Sequence, residues 1–96
     1  MEITTDMVDG TMCIALEGEM TVLNAGKIRD AFLDAVDSSS SLKINLEKVS
    51  EIDTTGIQLL ISAQKSAAKG AEFIGQSEDI VKAVRSRGVQ IFNNRG

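Results

Sequence analysis

The chain has 96 residues, 43% of them hydrophobic, and a formal net charge of −4, which fits one compact domain with a single core and argues against disorder. No stretch approaches the roughly 18 uninterrupted apolar residues of a membrane span, and Met1-Glu2-Ile3-Thr4-Thr5-Asp6 lacks the basic segment and apolar run of a secretory signal; a cytoplasmic domain that does not insert into membranes is expected. Histidine is absent and Cys13 is the sole cysteine, which excludes an internal disulfide, a Cys/His zinc cluster and the commonest general base.

Ile3 to Val8 reads as a weak first strand. Asp9-Gly10 is a turn signal, and Thr11 to Glu17 is a second strand with Met12, Ile14 and Leu16 on one face, so a hairpin is predicted. Cys13 falls in that strand and is expected to be a small buried hydrophobe rather than a reactive thiol. Gly18 to Leu23 reads as a connecting loop, in which Met20, Val22 and Leu23 either contact a partner or cover the sheet edge, burial being preferred. Asn24 is the expected N-cap of a helix through about Val36, with Ala25, Ile28, Phe32 and Ala35 or Val36 as its apolar stripe.

Asp37 to Ser41 is a solvated loop. Leu42, Ile44 and Leu46 alternate with Lys43, Asn45 and Glu47, the pattern of a strand with one face buried. A helix follows from about Gly56 to Ala68, with Ile57, Leu60, Ile61, Gln64 and Ala68 on one flank and Leu59, Ala63 and Ala67 widening it; so broad a stripe suits a helix lying on a sheet. Gly70 is the expected C′ residue, and Ala71 to Gly75 a short strand. Ser77 caps a third helix with Glu78 and Asp79 in its first turn and Ile80, Val81 and Val84 facing inward; Arg87-Gly88 ends it. Val89 to Phe92 is a candidate last strand before the polar tail Asn93-Asn94-Arg95-Gly96. Lys82, Arg85 and Arg87 form the densest basic group, read as a favourable cationic helix end; nucleic acid is not an expected partner.

The order β-β-α-β-α-β-α-(β) implies an α/β layer structure, with a mixed sheet of four to five strands, right-handed crossovers, and about three helices mainly on one face. Residues 1–96 read as a single domain without repeats, and the Met1 start points to a complete chain.

Glu51-Ile52-Asp53-Thr54-Thr55-Gly56 carries the chemistry. It sets an acid, two hydroxyls and a glycine at a helix N-terminus, where backbone N–H groups lack partners within the helix and the dipole favours negative charge. A phosphate on Thr54 or Thr55 would be tolerated there and would change the surface that a partner meets. Without modification, either threonine is a plain N-cap contributing about 1 kcal/mol. Asp53 is either a cap or the group that orients an acceptor hydroxyl. Gly56 permits a tight strand-to-helix turn or the close approach of a partner. Gln58, Ser62 and Lys65 line the same helix face. Glu47, Glu51 and Asp53 bring carboxylates near one another, but no pocket or second catalytic group can be read, so neither an enzyme nor a metal or cofactor site is expected.

The chain resembles STAS domains of the anti-sigma factor antagonist family over nearly its whole length: Leu16-Glu17-Gly18-Glu19-Met20, the helix from Ala25, Leu42 to Val49 as the third strand, and above all Ile52-Asp53-Thr54-Thr55-Gly56 followed by Ile57-Gln58-Leu59-Leu60. The family typically has Asp-Ser-Ser-Gly there, with the first hydroxyl as phosphorylation site, a position that maps onto Thr54 and less readily Thr55. The resemblance implies a non-enzymatic partner-switching protein. Its partners would be a histidine-kinase-like Ser/Thr kinase that doubles as anti-sigma factor, and a cognate phosphatase. Asp53, Thr54, Thr55, Gly56, Gln58 and Ser62 would form the docking surface. Threonine stands here at both hydroxyl positions. The Asp-Thr-small-Gly turn also resembles STAS proteins linked to chemotaxis systems and STAS subunits that bind the ATPase of bacterial lipid-asymmetry ABC transporters.

Overall fold

Asp9 and Gly10 both take positive φ, 51° and 82°, and Val8 pairs with Thr11 across them. This is the two-residue turn whose twist suits a hairpin, and it joins β1 (Glu2–Val8) to β2 (Thr11–Met20) in antiparallel register. The computed structural model describes residues 1–92 and continues with α1 (Ala25–Ser38), β3 (Ser41–Ile52), α2 (Thr54–Ser66), β4 (Ala71–Ile74) and α3 (Glu78–Arg85). The sheet order is β1-β2-β3-β4, and β3 runs parallel to both β2 and β4.

The β2–α1–β3 and β3–α2–β4 connections step across the sheet in the same direction. Crossovers of one hand therefore lay both helices on one face. Burial follows this arrangement. Ile14 and Leu16 of β2 and Leu42, Ile44 and Leu46 of β3 are buried with Ile28, Phe32 and Ala35 of α1, Ile57, Leu60 and Ala63 of α2, and Ile80 and Val84 of α3. The alternate residues Ala15, Glu17 and Glu47 are exposed on the outer face. Cys13 shares that outer face. It is half-buried rather than sealed in the core, because the strand period that buries Ile14 turns its neighbour outward.

Strict alternation ends after Leu46. The register with β2 slips between Ala15 and Glu17 and again between Gly18 and Glu19, each time placing one extra residue on β3. Such bulges bend and twist a strand. They explain why the buried positions of β3 become Leu46, Val49 and Ile52, three apart. They also carry β2 and β3 on together to Met20 and Ile52, which pair at the end of the sheet. The predicted loop from Gly18 is therefore strand as far as Met20, and a short 3-10 turn, Val22–Asn24, replaces the rest.

Other expectations need correction. Asn24 precedes α1, but its side chain does not cap it; Asn24 Nδ2 donates to the Glu19 carbonyl at 2.7 Å. Helix α2 starts at Thr54, two residues early, and ends at Ser66; Gln64 within it and Ala68 beyond it are both exposed. Gly70 has φ 84°, but in the turn to β4, since the helix is already capped at Ala67. Ser77 caps α3 as expected, its Oγ accepting from Ile80 N–H at 3.2 Å. Val89 to Phe92 is not a strand; Phe92 is buried with its ring edge-on to Phe73, centroids 5.7 Å apart. Asn93 to Gly96 lies outside the described residues.

Candidate functional site

The loop after β2 and the start of α2 leave the same end of two adjacent parallel strands. Asp53 joins them. Its extended backbone (φ −114°, ψ −175°) makes it the N-cap of α2, and its Oδ1 accepts from Gly56 N–H at 2.9 Å. Its Oδ2 accepts from Val22 N–H at 3.0 Å, and its own N–H donates to the Met20 carbonyl at 3.2 Å. The cap is therefore Asp53, and neither Thr54 nor Thr55 serves that purpose. Burial of the carboxylate acts to raise its pKa. The backbone hydrogen bonds from Gly56, Val22 and Thr55 outweigh it, so the group titrates below its ordinary 3.8.

Gly56 is buried in the first turn of α2. A Cβ there would overlap the Met20 carbonyl oxygen and lie 2.9 Å from Ile52 Cγ1. The glycine is what lets α2 seat against the ends of β2 and β3.

With Asp53 committed to the cap, the Thr54 hydroxyl is left at the first helical position, exposed. It accepts a hydrogen bond from Arg87 Nε at 3.2 Å. Thr55 is half-buried. Gln58 and Ser62 follow Thr54 at four-residue intervals, and helical geometry stacks these three on one side of α2; all are exposed, as is Lys65. Ser62 also borders a shallow, mainly apolar groove of ≈ 170 Å³ between α1 and α2, lined by Phe32, Leu33, Val36 and Leu59.

The preference for burial at 20, 22 and 23 holds for Met20 alone, which is fully buried. Val22 is 66% and Leu23 83% exposed. The 3-10 turn is anchored by its backbone to Asp53, so its two apolar side chains are left pointing into solvent beside the start of α2. Arg87 was legible only as a helix-end cation. Its contact with Thr54 spans 33 residues and has no local signal. Glu47, Glu51 and Asp53 do not converge: among the described residues, no three His, Cys, Asp or Glu side chains are placed to hold a metal. Among the same residues, no helix is long and apolar enough to cross a membrane.

Comparison with known proteins matches the STAS domain family model to residues 2–74. No curated protein sequence matches the chain. Among solved structures, an anti-sigma factor antagonist from Mycobacterium paratuberculosis superposes with a TM-score of 0.81 at 20% identity, covering 91% of this chain and 77% of that one. SpoIIAA in its unphosphorylated form gives 0.70 at 22% identity over 88% and 82% of the two chains. The phosphorylated form of the Bacillus protein gives 0.67 at 23% over 91% and 84%. The murine anion transporter Slc26a9 gives 0.71 at 15% identity, over 85% of this chain and 14% of its own. At these identities the likeness is one of fold.

Proposed function

The chain belongs to the STAS domain family, and we propose that it is a non-enzymatic partner-switching protein of the anti-sigma factor antagonist type, controlled by phosphorylation of Thr54. The observation that carries this reading is the division of labour at the start of α2. Asp53 takes both backbone donors, Gly56 N–H and Val22 N–H, and leaves the exposed Thr54 hydroxyl with no capping duty. A hydroxyl needed for the cap would cost stability when modified; this one would not.

Its surroundings suit docking. Val22 and Leu23 present apolar area on one side, and Gln58 and Ser62 extend a polar strip on the other. Unmodified, this surface would receive a histidine-kinase-like Ser/Thr kinase. A phosphate adds about −1.5 to −2 charge at its centre. Beside Asp53 and Glu51 that charge disfavours an acidic or apolar partner surface, and removal by a phosphatase resets the switch.

The second reading is a STAS subunit that binds a transporter's ATPase through the same surface, with Thr54 as a packed contact. It is supported by the likeness of this fold to part of a membrane transporter.

Affinity capture from the source cells separates the two, with wild type, Thr54→Ala and Thr54→Glu as baits and mass spectrometry as the readout. The switch predicts a kinase-like partner held by the first two and lost by the third, with phosphate on wild-type Thr54. A transporter ATPase held without phosphate would replace it with the second reading.

A further inference from the structure

We propose that Arg87 is the positioning residue of Thr54: it holds the hydroxyl before modification and becomes the counter-ion of the phosphate afterwards, tying the start of α2 to the end of α3. The inference rests on the reading of Thr54 as a phosphorylation site.

Arg87 is itself positioned. It follows Ser86, the C-cap of α3, and its backbone N–H donates to the Val84 carbonyl at 3.2 Å. Its Nη1 donates to the Ala83 carbonyl at 2.9 Å while Nε donates to Thr54 Oγ1 at 3.2 Å. One guanidinium thus bridges a helix-end carbonyl and the hydroxyl. Guanidinium has five N–H donors in a fixed plane, so donors remain beyond these two bonds. Both Asp53 oxygens accept from backbone amides.

In the unmodified protein, Arg87 occupies one lone pair of Oγ1 and restrains an otherwise exposed side chain. In transfer, Oγ1 attacks the γ-phosphorus of a nucleoside triphosphate held by the kinase. The P–Oγ1 bond forms, the bond to the β–γ bridging oxygen breaks, and the nucleoside diphosphate departs with that electron pair. The hydroxyl proton passes to a base on the kinase. The product sets three acceptor oxygens against the guanidinium, and a bond from a cation to a neutral hydroxyl becomes a contact between opposite charges. Asp53, next in the chain, repels the phosphate; Glu51 lies two residues further back in β3, and Lys82 and Arg85 stand in the last turn of α3. These groups are common to every variant below, so the comparison isolates Arg87.

The test is a ³¹P NMR titration of the full chain carrying phosphothreonine installed at position 54 during translation, with Arg87 intact, with Arg87→Gln and with Arg87→Lys. The counter-ion lowers the second phosphate pKa by about 0.5–1 unit relative to Arg87→Gln. Lysine restores part of the shift, because it keeps the charge and loses the planar fork. Superimposable wild-type and Arg87→Gln titrations would overturn the proposal. Should Arg87→Gln perturb folding by circular dichroism, the ¹⁵N resonance of Arg87 Nε is compared in wild type with and without phosphate. A moved resonance supports the contact and an unmoved one refutes it. Installing the phosphate in translation bypasses the kinase. Absence of phosphothreonine in cells would therefore remove the functional reading and the role built on it, whereas a flat titration would remove the Arg87 role and leave the functional reading standing.

Discussion

Asp53 Oδ2 accepts from the backbone N–H of Val22 at 3.0 Å, linking residues 31 apart in sequence. The same carboxylate caps α2 through Gly56 N–H at 2.9 Å. One side chain thus fixes both the helix start that presents Thr54 and the turn that presents Val22 and Leu23. Replacing it by alanine orphans two backbone donors. Asp53→Ala should destabilise the fold by about 2 kcal/mol, a lost cap plus a second lost bond. Asp53→Asn keeps one acceptor oxygen and should cost less. Urea unfolding measures both, and an alanine variant as stable as wild type would refute this account of the site.

The same carboxylate makes stability depend on acid. Its folded pKa lies below 3.8, because the amides that bond the charged form outweigh the opposing effect of burial. A depressed folded pKa means that the unfolded chain takes up the proton first. The contribution is therefore complete above the unfolded value and is lost as pH falls through the folded one. The stability gap between wild type and Asp53→Asn should be constant near neutrality and shrink below about pH 4. Unfolding series from pH 7 to pH 3 report it; a gap that widens on acidification contradicts the assignment.

Gly56→Ala sets two effects against each other. Alanine is the better helix former by about 1 kcal/mol. Here its Cβ would meet the Met20 carbonyl oxygen and Ile52 Cγ1, and a backbone carbonyl held in a sheet cannot step aside as a flexible side chain can. Sterics should win, with a net loss of about 2 kcal/mol or more. Thermal unfolding gives the sign directly, and a gain in stability would mean that α2 is not seated as described.

Where local chemistry decides the backbone, the sequence was readable. Asp9-Gly10 forms the hairpin turn, Leu42, Ile44 and Leu46 line the buried face of β3, and Ser77 caps α3. Several of the misses come from contacts between distant residues. Two bulges in β3 depend on its pairing with β2 and move the buried positions to Val49 and Ile52. The capping oxygen of Asp53 and the hydroxyl of Thr54 were chemically interchangeable candidates until the helix start was located. Arg87 reaches Thr54 only because α3 returns its end to the start of α2.

Val22 and Leu23 allow docking to be separated from folding. Their side chains are 66% and 83% exposed, and the backbone bond from Val22 N–H to Asp53 does not depend on side-chain identity. The double change Val22→Ser, Leu23→Ser should thus leave stability within about 0.5 kcal/mol of wild type. Exposed apolar side chains beside a polar strip are the kind of feature that anchors a protein interface. The same variant should bind the partner captured by wild type at least about tenfold more weakly, a difference of roughly 1.4 kcal/mol. Calorimetric titration checks the affinity and urea unfolding the stability. Unchanged affinity would move the docking surface off the 3-10 turn and onto the Gln58–Ser62 side of α2, while lost stability would show that the two side chains serve the fold.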